Sequence, residues 1–152
     1  MSFPVTEGVK LYKIQTDMPK YRKYCKMVGE VMAEFDPLFE AVGLDEGYLD
    51  LTEKLTNSKE HQHTLEDRAL KIMQNIQRQV ALKTGGLTLS FGMAPNRALA
   101  KLCSDINKPN GIFILQRNKQ EISKFLDSFP LRKIKNIGPH NERIISGLGR
   151  SY

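Results

Sequence analysis

The chain has 152 residues, an apolar fraction of 40%, a charged fraction of 26% and a formal net charge of +6. That length suits one domain, or one domain plus part of another, and those fractions exclude a disordered or fibrous chain. No apolar run nears the roughly 20 residues that cross a bilayer, and no signal-peptide core opens the chain. Cys25 and Cys103 lie far apart and show neither metal spacing nor a disulfide framework, which points to a reducing compartment. The positive charge favours an anionic partner, nucleic acid above all.

Val9–Gln15 alternates as a strand does. Thr16 or Asp17 can cap a helix that carries Pro19 in its first turn. Tyr21, Cys25, Val28, Met32 and Phe35 then recur at steps of four and three, one apolar stripe that Asp36-Pro37 ends. From Phe39 to Thr52 two short alternating stretches imply a strand-turn-strand with its turn near Glu46-Gly47. Glu53–His63 reads as a polar loop, and its His61 and His63 as solvated rather than metal-bound. Thr64 to Asp67 forms a capping box, opening a helix that turns Leu65, Ala69, Ile72, Met73, Ile76 and Val80 inward until Gly85-Gly86.

Leu87–Gly92 reads as a strand, Arg97–Asp105 as a short helix after Pro95-Asn96, and Lys108-Pro109-Asn110-Gly111 as a turn. Ile112–Leu115 is a further strand. Asn118 caps a helix burying Ile122, Phe125 and Leu126, and Pro130 ends that region. The tail Leu131–Gly149 is basic, with Ile137-Gly138-Pro139 at a turn and Lys133, Lys135, Arg143 and Arg150 around it. Strand, helix, strand, strand, helix, strand from Val9 to Gly92 is the βαββαβ order of an α+β, ferredoxin-like fold with helices on one face.

Three features could carry chemistry. Asp45 and Glu46 are adjacent carboxylates, whose repulsion a divalent cation would relieve; the same dipeptide also suits a plain polar turn. Lys108 stands on a stiff Pro-Asn-Gly turn and Lys101 on a helix, either of which could meet a triphosphate; a surface turn is the alternative. The tail looks like a helix-hairpin-helix, whose glycine turn (Gly138) offers backbone N–H groups to a DNA phosphate; an ordinary basic helical pair is the alternative.

Taken in order, Tyr21-Arg22-Lys23-Tyr24, Asp36-Pro37-Leu38-Phe39-Glu40-Ala41, Leu44-Asp45-Glu46-Gly47-Tyr48-Leu49, Gly92-Met93-Ala94-Pro95-Asn96, Leu99 to Asp105, Asn107 to Gly111 and Ile137-Gly138-Pro139 resemble the Y-family translesion DNA polymerases, above all their eukaryotic kappa branch. The resemblance runs from about Leu11 to Gly149. It implies a partial palm over residues 1–130 and a truncated thumb start over 131–152. Asp45 and Glu46 would be catalytic and hold Mg2+. Lys108, and less directly Lys101, would bind the nucleotide. Lys133, Lys135, Gly138 and Arg143 would grip DNA. Primed template DNA and deoxynucleoside triphosphates are the implied partners, with no membrane, a nuclear location, and any replication-clamp contact outside this segment.

The chain departs from that family in three ways. The Asp-x-Asp motif of a first palm strand, which supplies a third carboxylate, does not precede Val9. The fingers and most of the thumb are missing as well. Gly43 stands where the family usually has Ser. The expectation is a fragment of an error-prone polymerase that does not extend DNA alone and, lacking its central strand, is marginally stable or prone to associate. The alternatives are a non-catalytic DNA-binding or regulatory module built on the same palm, and, further off, a nucleotide cyclase.

Overall fold

The computed structural model describes residues 12–57, 64–134 and 137–148. Asp17 caps helix α1 (Met18–Phe35) by accepting the Lys20 amide, as the sequence predicts. The apolar stripe is placed correctly at its C-terminal half only. Met32 is buried, Val28 and Phe35 pack against its cluster, and Val31, which the stripe did not include, is buried beside it, whereas Tyr21 is 56% exposed. Tyr12–Gln15 is irregular chain rather than strand, and Val9–Leu11 falls outside the described residues.

Strands β1 (Glu40–Val42) and β2 (Glu46–Tyr48) pair antiparallel, Glu40 opposite Tyr48 and Val42 opposite Glu46. The turn is therefore Gly43-Leu44-Asp45, three residues earlier than the alternation suggests. Two glycines explain the shift. Gly43 has φ +79°, the left-handed backbone that a tight turn needs and that a serine would hold under strain. Gly47 serves packing instead: a Cβ there would meet the Phe39 ring at 2.4 Å. The Ser-to-Gly departure at position 43 thus has a backbone reason.

Thr52–Thr56 forms a short helix, α2, where the sequence suggests loop. Leu55 is buried under it, and one apolar anchor is enough to wind so short a segment. His61 and His63 lie outside the described residues. Helix α3 (Leu65–Thr84) starts at the expected Thr64–Asp67 capping box and stops at Gly85, which takes φ +75°. Its inward residues are Ala69, Met73, Ile76 and Val80; Leu65 is 41% exposed, because it sits in the first turn ahead of the contact with α1.

The second sheet pairs β3 (Phe91–Met93) with β4 (Ile112–Ile114) in parallel, joined through α4 (Arg97–Cys103). Residues 87–90 are not strand. Phe91, Met93, Ile112 and Ile114 face α2 and α3, while Phe113 faces α4 and α5 (Lys119–Asp127). This small sheet is covered on both faces, not one. At Gly92 a Cβ would come 2.2 Å from the Ser104 amide, so only glycine lets α4 sit this close to the strand. In α5, Ile122 and Phe125 pack inward, but Leu126 is 41% exposed, at the edge of that face next to Ile122.

The core lies along α3. One end joins Val31 and Met32 to Ile76 and Val80; the next joins Leu55 to Ala69 and Met73. A third cluster, Leu99, Cys103 and Leu115, holds α4 and α5 to the sheet. Burial there pushes the Cys103 thiol up to about 11, so it is an inert core group. After Pro130 come a 3-10 turn (Leu131–Lys133) and α6 (Pro139–Gly147). The tail thus holds one helix preceded by a single tight turn among the described residues, not two full helices. No described helix is long and apolar enough to cross a membrane.

Candidate active site

The β1–β2 hairpin presents the two adjacent carboxylates. Asp45 closes the turn and is exposed; Glu46 opens β2. Successive strand residues alternate, so Glu46 and Tyr48 share one face and Gly47 occupies the other. The face bearing Glu46 meets α4. Lys101 Nζ donates to Glu46 Oε1 at 2.5 Å. Arg97, one turn earlier on the helix, donates from two nitrogens to the two oxygens of Glu40, at 2.8 and 2.9 Å, and lies 4.2 Å over the Tyr48 ring. The bond to Glu46 raises the Lys101 pKa above its ordinary value, against the opposing effect of partial burial. The Arg97 hydrogen bonds likewise lower that of Glu40.

Lys108 lies on the turn that follows α4. Its Nζ pairs with Asp105 at 2.6 Å. That bond lowers the Asp105 pKa despite partial burial, and the charges of Lys108, Lys101 and Lys133 act in the same direction. The turn is well pinned. The Lys108–Pro109 peptide is cis, and Asn110 has φ 54°. Gln77 of α3 donates to the Asn110 carbonyl at 3.1 Å and to that of Leu89 at 2.8 Å. Asn107 donates its side-chain amide to the Ile112 carbonyl, and the Phe91 amide bonds to the Gly111 carbonyl.

The structure therefore brings Glu46, Lys101, Asp105, Lys108 and, through its charge, Lys133 into one neighbourhood. Gly138 and Arg143 belong to the separate tail. Gly138 is the N-cap of α6, with open space where a Cβ would stand, and an extended backbone that any residue adopts. Arg143 bonds through Nε to the Pro139 carbonyl, and Arg132 pairs with Glu142 at 3.3 Å. Lys135 and Arg150 lie outside the described residues.

Several contributors escaped the sequence reading. Arg97 and Glu40 are a long-range ion pair, legible only as a cation four residues before Lys101. Gln77 gave no sign on a polar helix face. Asp36, read only as a helix stop, is buried and accepts the amides of Leu38 and Asp50, each at 2.8 Å, tying α1 to the far end of the hairpin. Asp50 accepts the Thr52 amide in a local turn just ahead of α2, whose N-cap Leu51 offers no side-chain bond.

Carboxylate oxygens suit a hard cation such as Mg2+ in type. They fall short in number: no group of three His, Cys, Asp or Glu side chains that could hold a metal exists among the described residues. One of the two available carboxylates is already engaged by a lysine.

A family model described as impB/mucB/samB matches residues 7–105. The chain belongs to that family. Among its relatives, DNA polymerase kappa of Arabidopsis thaliana is 40% identical over 135 residues, 87% of this chain and 18% of the plant protein. DNA polymerase IV of Protochlamydia amoebophila is 38% identical over 133 residues, 88% of this chain and 35% of the bacterial one. The chain thus spans well under half the length of either. A Dbh DNA polymerase solved as a post-insertion binary complex superposes with a TM-score of 0.72 at 26% identity, over 86% of this chain and 36% of that one. A DinB family error-prone polymerase from Sulfolobus solfataricus shares the fold with a TM-score of 0.76 at 23% identity, over 95% and 44%. This family member keeps the mixed α/β architecture of the Y-family polymerases, as its sequence resemblance implies.

Proposed function

We propose that this chain is the palm, residues 1–130, and the start of the thumb, 131–152, of an error-prone translesion DNA polymerase. The observation that carries the reading is the meeting of the carboxylate hairpin with α4 and its lysine turn. Residues that a nucleotidyl transfer uses, acids for a cation and lysines for phosphates, converge from segments more than fifty positions apart, as in the Lys101–Glu46 bond. The family match adds support.

In this reading Asp45 and Glu46 would hold Mg2+, which when bound supplies positive charge at the reacting phosphate. Lys108 meets the nucleotide's phosphates from its pinned turn, releasing Asp105 to do so. A lysine works here as a point charge whose backbone anchor is already fixed, so little ordering remains to be done on binding. Lys101 is held back by Glu46 and contributes field rather than direct contact. The reaction is attack of a primer 3′-hydroxyl on the α-phosphate of a deoxynucleoside triphosphate, with loss of pyrophosphate. Lys133, Lys135, Gly138 and Arg143 would grip the DNA backbone. By its resemblance to the plant relative, the protein acts in the nucleus.

Two carboxylates are one short of the set a two-cation site uses, so the chain by itself is expected to bind primed DNA without extending it. Primer extension with Mg2+, beside DNA binding at increasing salt, tests this. Binding that weakens with salt and no extension fits the proposal for this segment. Extension abolished by Asp45→Ala would mean the two carboxylates suffice. Neither binding nor extension would refute the DNA-polymerase reading of these residues. Lys108→Ala is expected to weaken triphosphate binding about tenfold, the loss of one charge-assisted contact.

A further inference from the structure

Arg97 and Lys101 are four residues apart on α4, so they stand about 6 Å apart along one helix face. Glu46 and Tyr48 are two apart on β2, about 6.6 Å along one strand face. These spacings match. Each cation of the helix therefore meets its own rung of the hairpin, Lys101 at Glu46 and Arg97 at Tyr48 with the cross-strand Glu40. On the hairpin's other face the Phe39 ring lies against Gly47. The hairpin is gripped from both sides.

The two rungs differ in kind. Arg97 makes two parallel bonds and a ring stack, a geometry that only a planar guanidinium provides. Lys101 makes one bond to one oxygen through a flexible stem. A second carboxylate, paired with Lys108, also lies near it. Asp105, one helical turn further along the chain, already stabilises its charge. A bond of that type is readily exchanged.

We propose that Arg97 is the positioning residue of the carboxylate hairpin, and that Lys101 is the resident counter-cation of Glu46, which a divalent cation taking Glu46 must displace. The second half rests on the reading that Asp45 and Glu46 hold Mg2+; the first does not. The two cations on one helix face thus have opposite effects on the site. Arg97 favours it by holding its frame, and Lys101 competes for its ligand. A merely structural role would make both losses act in one direction.

The test uses the full chain with Mn2+ as probe, bound metal being read from the loss of the free-ion paramagnetic signal, together with amide hydrogen exchange. Lys101→Met is expected to tighten Mn2+ binding about threefold, the scale of one exposed ion pair. Arg97→Ala is expected to weaken it by a similar factor and to speed exchange over residues 40–48, while α3 amides keep their protection. Arg97→Lys should fall between, since a point charge cannot make both bonds. Glu40→Gln should speed the same amides without touching α4. Unchanged or weaker Mn2+ binding in Lys101→Met overturns the counter-cation role. Unchanged hairpin exchange in both Arg97→Ala and Glu40→Gln overturns the positioning role. Failure of both the native chain and Lys101→Met to bind Mn2+ overturns the counter-cation role together with the magnesium reading, and hydrogen exchange still decides the clamp.

Discussion

The two sheets are of equal size and are held in opposite ways. Each has two strands of three residues. The β3–β4 pair lies between α2 and α3 on one face and α4 and α5 on the other, in contact with apolar side chains throughout. The β1–β2 hairpin is largely exposed and is held by carboxylates: Glu40 on Arg97, Glu46 on Lys101, and Asp36 beneath its end. A sheet fixed by burial resists salt and pH. A sheet fixed by charge answers to both, which suits a segment whose acidic groups must also take a cation.

The largest effect should come from the helix-covered sheet. Gly92→Ala drives a Cβ into the backbone of α4 and should destabilise the chain by about 1–3 kcal/mol, read as a lower denaturant midpoint. A midpoint equal to the native chain's would show that α4 is not seated as described. Asp36→Ala comes next. It strips two amides of their buried acceptor, at about 1–2 kcal/mol, and should loosen the hairpin more than the β3–β4 pair when exchange is followed residue by residue. Equal loosening of both would erase the contrast between the sheets.

Acid gives a smaller, selective effect. Arg97 holds the Glu40 pKa below its ordinary value of 4.5. A depressed carboxylate contributes fully above the unfolded value and loses that contribution as pH falls below it. Hairpin amides should therefore exchange relatively faster as the pH drops below about 4.5, after correction for the intrinsic rate, and β3–β4 amides should not. Salt should give the mildest change. Raising ionic strength to about 1 M shortens the screening length to roughly 3 Å and should relax the exposed Arg97–Glu40 pair slightly. Spectra of residues 40–48 that stay the same at both salt concentrations would place the hairpin's support in the Phe39 contact instead.

This contrast also explains what the sequence made legible. Caps and stops were readable because they are local: Asp17, Thr64 with Asp67, Asn96, Asn118 and Gly85 each act within one turn. The inward face of α3 followed from its periodicity. The hairpin turn was misplaced because two glycines four positions apart look alike in sequence, while one serves φ and the other makes room for a ring. Short helix α2 was missed because its reason, Leu55 against α3, is a tertiary contact. The candidate site divides along the same line. Asp45, Glu46, Lys101 and Lys108 stood out as residue types in recognisable words. The Lys101–Glu46 bond, the Arg97–Glu40 pair beside it and Gln77 under the lysine turn became visible only when the chain was folded, since each acts across a gap that no local pattern spans.

Gly92 has a consequence beyond stability. Because the backbone of α4 meets the backbone of β3 directly at Gly92, no side chain lies between them at that point to swell, shrink or swap rotamers. The offset between the acidic hairpin at one flank of α4 and the lysine turn beyond its end is then a length set by peptide geometry, like a gauge block in a machine. Drift in the surrounding core could alter how long the protein survives while leaving that spacing as it was.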